Sequence, residues 1–371
     1  MIVNYQEILS ALLAKAGITL NGSNPWDIQI HHPDTCKRIL RDSNLGLGES
    51  YMDGWWDCQA IDQMSDRMLR AQLEREVLSF KNVSAFVLAK LSNLQSQQRA
   101  AQVCEQHYDL GNDLFQKMLD PRMVYTCGFW PQAQTLAEAQ TAKLELICQK
   151  LQLKPGMRLL DIGCGWGSLM KYAAEHYGVQ AVGYTLSQPQ VELGRQLCHH
   201  LPVEFILDDY RKIHGQFDRV VSVGMFEAVG YKNFRTFMQI AEQSLAHNGL
   251  FLLHTMGGNR SFYASDPWYH RYIFPNGMIP SLAQLGKACE NRFVIEDVHN
   301  FGPDYDLTLM AWYTNFQAAW PELSLRYSPR FKRMWDFYLL QVAGAFRSRS
   351  QQLWQLLLSK PGTPQYFRRQ I

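Results

Sequence analysis

The sequence has little net charge, no closely paired cysteines and no long apolar run. Lys and Arg number 36 against 34 Asp and Glu, a formal net charge of +2. That is too small for a chain that binds nucleic acid through many phosphate contacts. The eight cysteines are Cys36, Cys58, Cys104, Cys127, Cys148, Cys164, Cys198 and Cys289, and none forms a CxxC pair. A chain of 371 residues buries a core without staples, so this usage suits a reducing compartment. The opening "MIVNYQEILS" lacks the basic and apolar regions of a secretion signal. No apolar run reaches the ~18 residues of a transmembrane helix. There is no internal repeat and no low-complexity tract. These absences predict a cytoplasmic protein whose membrane contact is peripheral. One local excess stands out. Lys332, Arg333, Arg347, Arg349, Lys360, Arg368 and Arg369 face only Asp336 within residues 332–371. They suit a solvated helical face or a contact with anionic lipid headgroups, where each basic residue contributes roughly 1 kcal/mol.

What is present divides the chain. Residues 1–91 read as a smaller, mostly helical domain for lipid, membrane or dimer contact. Residues 92–106 read as a polar helical linker, and 107–371 as the catalytic domain. In "YQEILSALLAKAGI", Ile8, Leu9, Leu12 and Leu13 have helical spacing and Gly17 is placed to end the helix. "NPWDIQIHHP" alternates briefly like a strand. Trp55 and Trp56 in "LGLGESYMDGWWDC" suit either a core or a bilayer contact. Further helices are expected from about Leu69 to Leu91. Strand-like runs follow at 157–162, 180–185, 203–207, 218–223, 249–255, 292–298 and 307–313. Helical patterns separate most of them, at 168–177, 188–200, 231–246 and 281–290. Apolar runs alternating with helices predict a mostly parallel sheet covered on both faces. The last two runs are joined by "HNFGPDYD" with no helix, which predicts a hairpin and one reversed strand. The expected fold is α/β: a class I methyltransferase (Rossmann-like) seven-stranded sheet.

The first strand of this series runs into "LLDIGCGWGS", where Gly163, Gly165 and Gly167 give G-x-G-x-G. The dinucleotide fingerprint is G-x-G-x-x-G, and a lone glycine turn is often only a tight turn. Context argues for a ligand: a strand before, a helix amino terminus after, and Asp161 at the strand end. A carboxylate there repels a pyrophosphate and suits an ammonium, held through a water or backbone donors. An amino-acid-bearing cofactor such as S-adenosylmethionine fits. The second strand ends "GYTLSQPQ", with Thr185 and Gln190 and no acid to grip a ribose. That argues against a nicotinamide cofactor.

Longer motifs then accumulate: "NLGLGESYMDGWWDC", "EQHYDLGNDLFQKMLDPRMVYTCGFW", "LQLKPGMRLLDIGCGWGS", "VSVGMFEAVG", "FLLHTMG", "YIFPNGMIPS" and "HNFGPDYDLTLMAWY". Through them the chain resembles the cyclopropane-fatty-acyl-phospholipid synthases, in the family of S-adenosylmethionine-dependent cyclopropane and mycolic acid synthases. The resemblance covers nearly the full length. It implies methylene transfer from S-adenosylmethionine to cis double bonds of unsaturated phospholipid acyl chains. It also implies a homodimer at the inner face of the membrane. The implied cofactor residues are Tyr125, Thr126, Asp161, Gly163, Gly165, Trp166, Gly167, Thr185, Leu186, Gln190, Asp208, Asp209 and Tyr210. The family's bicarbonate-binding group falls on Cys127, Glu227, His254 and Tyr305.

Each of these four also has a plainer reading. Cys127 is a small buried apolar residue or a covalent nucleophile. Glu227 is a loop carboxylate, although it follows a strand's carboxyl end, where α/β sites form. His254 ends the fifth strand and suits a structural role. Tyr305 is expected in the loop between the last two strands. Cys, Glu and His would equally suit zinc; the resemblance argues for an anion and no metal. The implied chemistry supplies a reason. An alkene that attacks a sulfonium methyl becomes a carbocation, and the new methyl must lose a proton for the ring to close. A weakly nucleophilic base in a water-poor pocket suits that step. Aromatic faces of Tyr305, Phe274 and Phe301 are candidates to stabilise the cation, by about 0.5–2 kcal/mol each. Four positions depart from the family pattern: Thr126 for the commoner serine, Ser168 for glycine, Asp208 for an amide, and Ala228 for histidine. Two alternatives stay open. One is an enzyme acting on another lipid. The other, motivated by Ala228, is a lipid-binding relative that has lost catalysis.

Overall fold

The computed structural model describes residues 4–73 and 111–364. The expected linker at 92–106 and the helices expected over 74–91 lie outside them. The chain forms two compact units that interleave along the sequence, which the sequence reading divided only once. The first combines the described residues of Met1–Ser92 with Tyr263–Pro275 and Tyr305–Gln351. The second comprises those of Asn93–Phe262, Asn276–Asp304 and Gln352–Ile371.

The first unit is mostly helical. The helix Tyr5–Ala14 starts where the Asn4 side chain accepts from Glu7 N, and it buries Leu9 and Leu13, one turn apart. Gly17 follows with φ +65°. The brief alternation near residue 30 forms a two-residue strand, β1 (Gln29–Ile30), antiparallel to β2 (Trp56–Asp57). Trp56 is core: fully buried, it donates through Nε1 to Leu47 O at 3.1 Å and Ser50 Oγ at 3.0 Å. Trp55 stacks on His32 at 4.0 Å. The helix Pro329–Arg347 carries three of those seven basic residues, Lys332, Arg333 and Arg347, and all three are engaged. Arg347 bridges Asp62 and Asp306, Lys332 bonds Asp336, and Arg333 bonds Asp57. These pairings leave less unpaired charge for headgroups than the sequence count suggests.

The second unit is built on a seven-stranded sheet. Its strands are β3 (Arg158–Ile162), β4 (Gln180–Thr185), β5 (Val203–Leu207), β6 (Phe217–Val223), β7 (Leu245–Gly258), β8 (Val294–Asn300) and β9 (Gln351–Ser359). The order is β5-β4-β3-β6-β7-β9-β8. β3 to β7 run parallel to one another, and β9 runs antiparallel to β8. Successive residues feed opposite cores, as the period of two requires. Leu160 and Ile162 pack with Phe237, Met238 and Leu285, while Leu159 packs with Leu144, Ile147 and Met170. Each such fully buried side chain contributes about 1.5–3 kcal/mol over its exposed state.

One expected strand is a helix. Residues 307–313 lie within the helix Pro303–Leu323, so no hairpin follows β8. Thr308, Leu309, Trp312 and Phe316 are buried in a helical stripe, with Leu323 further along, while Leu307 is 50% exposed. The seventh strand is β9, whose "QLWQLLLS" is buried throughout.

Candidate active site

Predicted site residues gather at the carboxyl ends of the parallel strands β3 to β7. Gly163, Gly165 and Gly167 follow β3 with φ of +88°, +55° and +82°. Side-chain-bearing residues rarely adopt such angles. A Cβ on Gly163 would lie 2.5 Å from Met225 Cβ, and one on Gly167 would lie 2.3 Å from Phe205 Cζ. A Cβ on Gly165 would meet nothing within 4 Å. The turn is packed at both ends and open at its middle. Gly167 caps the helix Ser168–Tyr177, and Ser168 Oγ donates to Arg122 O at 2.5 Å. The serine at this departure thus ties the turn to the segment before Tyr125. Trp166 is buried and donates to Asn112 Oδ1 at 3.1 Å, with Phe115 at 5.3 Å from its ring and Tyr125 at 5.1 Å from Phe115.

Asp161 is buried on β3, and its Oδ1 has no hydrogen-bond partner. Burial pushes its carboxyl up to about 7, against the pull of the Lys143 charge. Beyond β4, Thr185 Oγ1 and Gln190 Oε1 are hydrogen-bonded at 2.9 Å, with Leu186 half-buried beside them. Beyond β5, Asp208 pairs with Lys212 at 2.9 Å, which holds its carboxyl below the ordinary range. Asp209 is occupied by Arg211, through the backbone and the guanidinium at 2.8 Å each. The ring of Tyr210 lies in the core beside Phe237, and burial raises its phenol to about 12.

Three of the four expected anion-site residues belong to this unit. Cys127 is fully buried, with Sγ 3.1 Å from Gly128 O. Glu227 sits in a one-turn helix after β6; its Oε1 accepts from Met256 N at 2.6 Å, and its Oε2 is buried without a partner. Burial raises its carboxyl above the ordinary value. His254 lies on β7 two residues before Met256, so both side chains leave the strand on one face. Gln355 Nε2 faces His254 Nδ1 at 3.2 Å, and His254 Nε2 is buried without a partner. With the amide nitrogen as donor, Nδ1 accepts and Nε2 carries the proton. Burial, then the charges of Lys143 and Lys150, holds the imidazole well below its ordinary value and therefore neutral. Phe301 packs edge-on against it at 5.7 Å. Tyr305 belongs to the first unit. It lies in the first turn of the helix Pro303–Leu323, not in a hairpin loop, 4.6 Å from Phe346 between ring centroids. Phe274 is also in the first unit, against Tyr338. Among the described residues, no group of three or more His, Cys, Asp or Glu is placed to hold a metal.

Sequence reasoning missed Lys143, Gln140 and Gln355. Lys143 is 1% exposed and donates to Thr126 Oγ1 at 2.7 Å. A signal existed: Leu136, Ala139, Gln140, Lys143, Leu144, Ile147 and Cys148 form one apolar stripe with two polar members. A lysine on such a stripe is either a buried functional group or an error in the stripe.

A switch-point sheet of this order, with a G-x-G-x-G turn after its central strand and an acid before it, defines a class I S-adenosylmethionine-dependent methyltransferase. The cyclopropane synthase MmaA2 from Mycobacterium tuberculosis has the same fold (TM-score 0.67, 30% identity, 70% of this chain and 98% of that one). The mycolic acid cyclopropane synthase CmaA1, solved with SAH and CTAB, is equally similar (TM-score 0.66, 32% identity, 70% and 98%). The chain belongs to the mycolic acid cyclopropane synthetase family, whose model matches residues 95–356. It is 52% identical over 358 residues to the cyclopropane-fatty-acyl-phospholipid synthase of Escherichia coli (strain K12), covering 96% of this chain and 94% of that protein.

Proposed function

We propose that this enzyme transfers a methylene group from S-adenosylmethionine to cis double bonds of unsaturated phospholipid acyl chains, with bound bicarbonate as the base. The observation that carries the substrate is the likeness to the Escherichia coli enzyme, which runs through both units of the chain. The acyl chains lie in a bilayer, so we place the enzyme peripherally on its inner face. Among the described residues, no helix is long and apolar enough to cross a membrane. A homodimer and a lipid- or dimer-contacting role for residues 1–91 follow from the resemblance alone, as does the part of Tyr305.

The residues fit the cofactor. Gly165 leaves open space over its backbone, and Asp161 offers an unsatisfied buried oxygen to an ammonium. S-adenosylmethionine, when bound, supplies an electrophilic methyl. Thr185 and Gln190 offer neutral polar groups beyond β4, and the half-buried Thr126 and Tyr125 line the approach from the other side. The residues also fit an anion. His254 presents an N–H through Nε2. Glu227, whose Oε1 accepts from Met256 N and whose carboxyl burial pushes above its ordinary value, keeps Oε2 buried without a partner. Two buried polar atoms without partners are costly in an apolar site unless a ligand joins them. Bicarbonate there supplies a base of weak nucleophilicity. Cys127 lines the pocket, and Phe301 and the buried strand ends exclude water that would capture a cation.

The test is the purified protein on liposomes of cis-unsaturated phospholipid with S-adenosylmethionine, followed by mass analysis and proton NMR of the released acyl chains, which separates cyclopropane from vinylic protons. A gain of one CH2 with loss of the double bond is expected. A methylated, still unsaturated chain would make the enzyme a methyltransferase of another kind.

A further inference from the structure

The helix Leu136–Lys150 grips Thr126 at two points. Lys143 Nζ donates to its Oγ1 at 2.7 Å, and Gln140 Nε2 donates to its carbonyl at 2.7 Å. On another side the Thr126 methyl lies against Gly224, where a Cβ would come within 2.6 Å of Cγ2. Gly224 N is in turn bonded to His254 O at 2.9 Å. Thr126 is therefore held at the end of β6, beside the glycine turn that Met225 packs against. A buried ammonium is costly unless it is paired and hydrogen-bonded. The carboxylates near Lys143 are Asp120 and Asp161. Asp120 is occupied, accepting from Val124 N and Arg122 N. Asp161 keeps one oxygen without a partner.

The direction of the Lys143–Thr126 bond matters. An ammonium only donates, so the Thr126 hydroxyl is the acceptor in this pair. Its own proton is left to point elsewhere. We propose that Lys143 is a positioning residue that sets the Thr126 hydroxyl as a donor to the carboxylate of the cofactor's amino-acid portion. Its positive charge supports the same carboxylate. Asp161 takes the ammonium, so the two ends of an α-amino acid meet groups of opposite sign. This rests on the cofactor reading above and adds to it a residue and a handle, the carboxylate.

Calorimetry on the full chain with two ligands tests it: S-adenosylhomocysteine, and S-adenosyl-3-thiopropylamine, which keeps the ammonium and lacks the carboxylate. Lys143→Met should weaken the first at least about tenfold, or ~1.4 kcal/mol, and the second by less than about threefold. Thr126→Ser, which keeps the hydroxyl, should bind the first within about threefold of wild type. The wild type alone gives a second reading that needs no variant to fold. Burial lowers the Lys143 ammonium to about 8, with Cys127, Asp120 and Asp161 facing it and His254 feeling its charge. The preference for the carboxylate-bearing ligand should therefore fall as pH rises through that value. Equal losses for both ligands in Lys143→Met, or a preference in the wild type that is flat with pH, would overturn the inference. A wild type that binds neither ligand sinks the cofactor reading and this inference with it.

Discussion

Gly156 and Gly165 flank β3 and separate cofactor binding from backbone strain. Both have positive φ, +84° and +55°, and a Cβ at either would meet nothing within 4 Å. Alanine at each position costs about 1–2 kcal/mol for the left-handed backbone, with no clash inside the protein. They differ in place. Gly156 precedes the amino end of the strand, and Gly165 follows its carboxyl end, where ligands of α/β sheets bind. At Gly165 the new methyl occupies the space through which a cofactor reaches the turn. Carbon contacts are closest at about 3.5–4.0 Å, so the ligand has to retreat by about one bond length. That breaks a hydrogen bond to a charged group, at about 1.5–3 kcal/mol. The dissociation constant for S-adenosylhomocysteine should rise about 10- to 150-fold. Gly156→Ala should leave it within about twofold. Both variants should lose similar stability in urea. Gly163 and Gly167 are poorer probes because their Cβ atoms would strike Met225 and Phe205. If Gly165→Ala binds like wild type, or if both variants lose affinity equally, the turn does not hold the cofactor.

Other outcomes are expected. Rigorous removal of bicarbonate should lower turnover and its return should restore it; Cys127→Ser should keep part of the activity, and a trapped Cys127 adduct would replace the pocket-lining role with covalent catalysis. Without cofactor, the Asp161 carboxyl, raised from 3.8 to about 7, keeps a proton that the unfolded chain releases. Wild-type stability therefore falls with rising pH across that window and is level above it. Asp161→Asn, which cannot ionise, should gain stability relative to wild type over the same window, by urea midpoints at several pH values; a gap that narrows as pH rises would contradict the assignment. Ala228 sits in the one-turn helix with Glu227. Ala228→His should stay within about tenfold of wild-type turnover, or ~1.4 kcal/mol in the barrier; an inert wild type rescued by histidine would show a silenced relative instead.

The sheet was legible because a parallel strand buried on both faces needs a continuous apolar run, as in β3, β6 and the second half of β7, while the edge strands β5 and β8 are shorter on buried residues. The helices between them and the glycine turn were legible for the same local reason. Residues 307–313 misled because a short apolar run fits a helix as well as a strand. The stripe that decides it, Thr308, Leu309, Trp312 and Phe316, emerges only over three turns. β9 was missed although it is apolar, because it is inserted between β7 and β8 far from both in sequence.

By itself, then, the sequence determined what neighbours along the chain decide: strand and helix periods, the G-x-G-x-G turn, Asp161 at its strand end, and the motifs that mark the family. Tertiary structure alone decided which polar groups lose water and what they meet there. Its stripe marks Lys143 as a lysine on an apolar face, but only the fold shows that it donates to Thr126, 17 residues earlier. His254 gains its tautomer from Gln355, 101 residues later. Burial and partner choice set the charge of both side chains, and both depend on how the chain returns to a strand end, which no local pattern encodes.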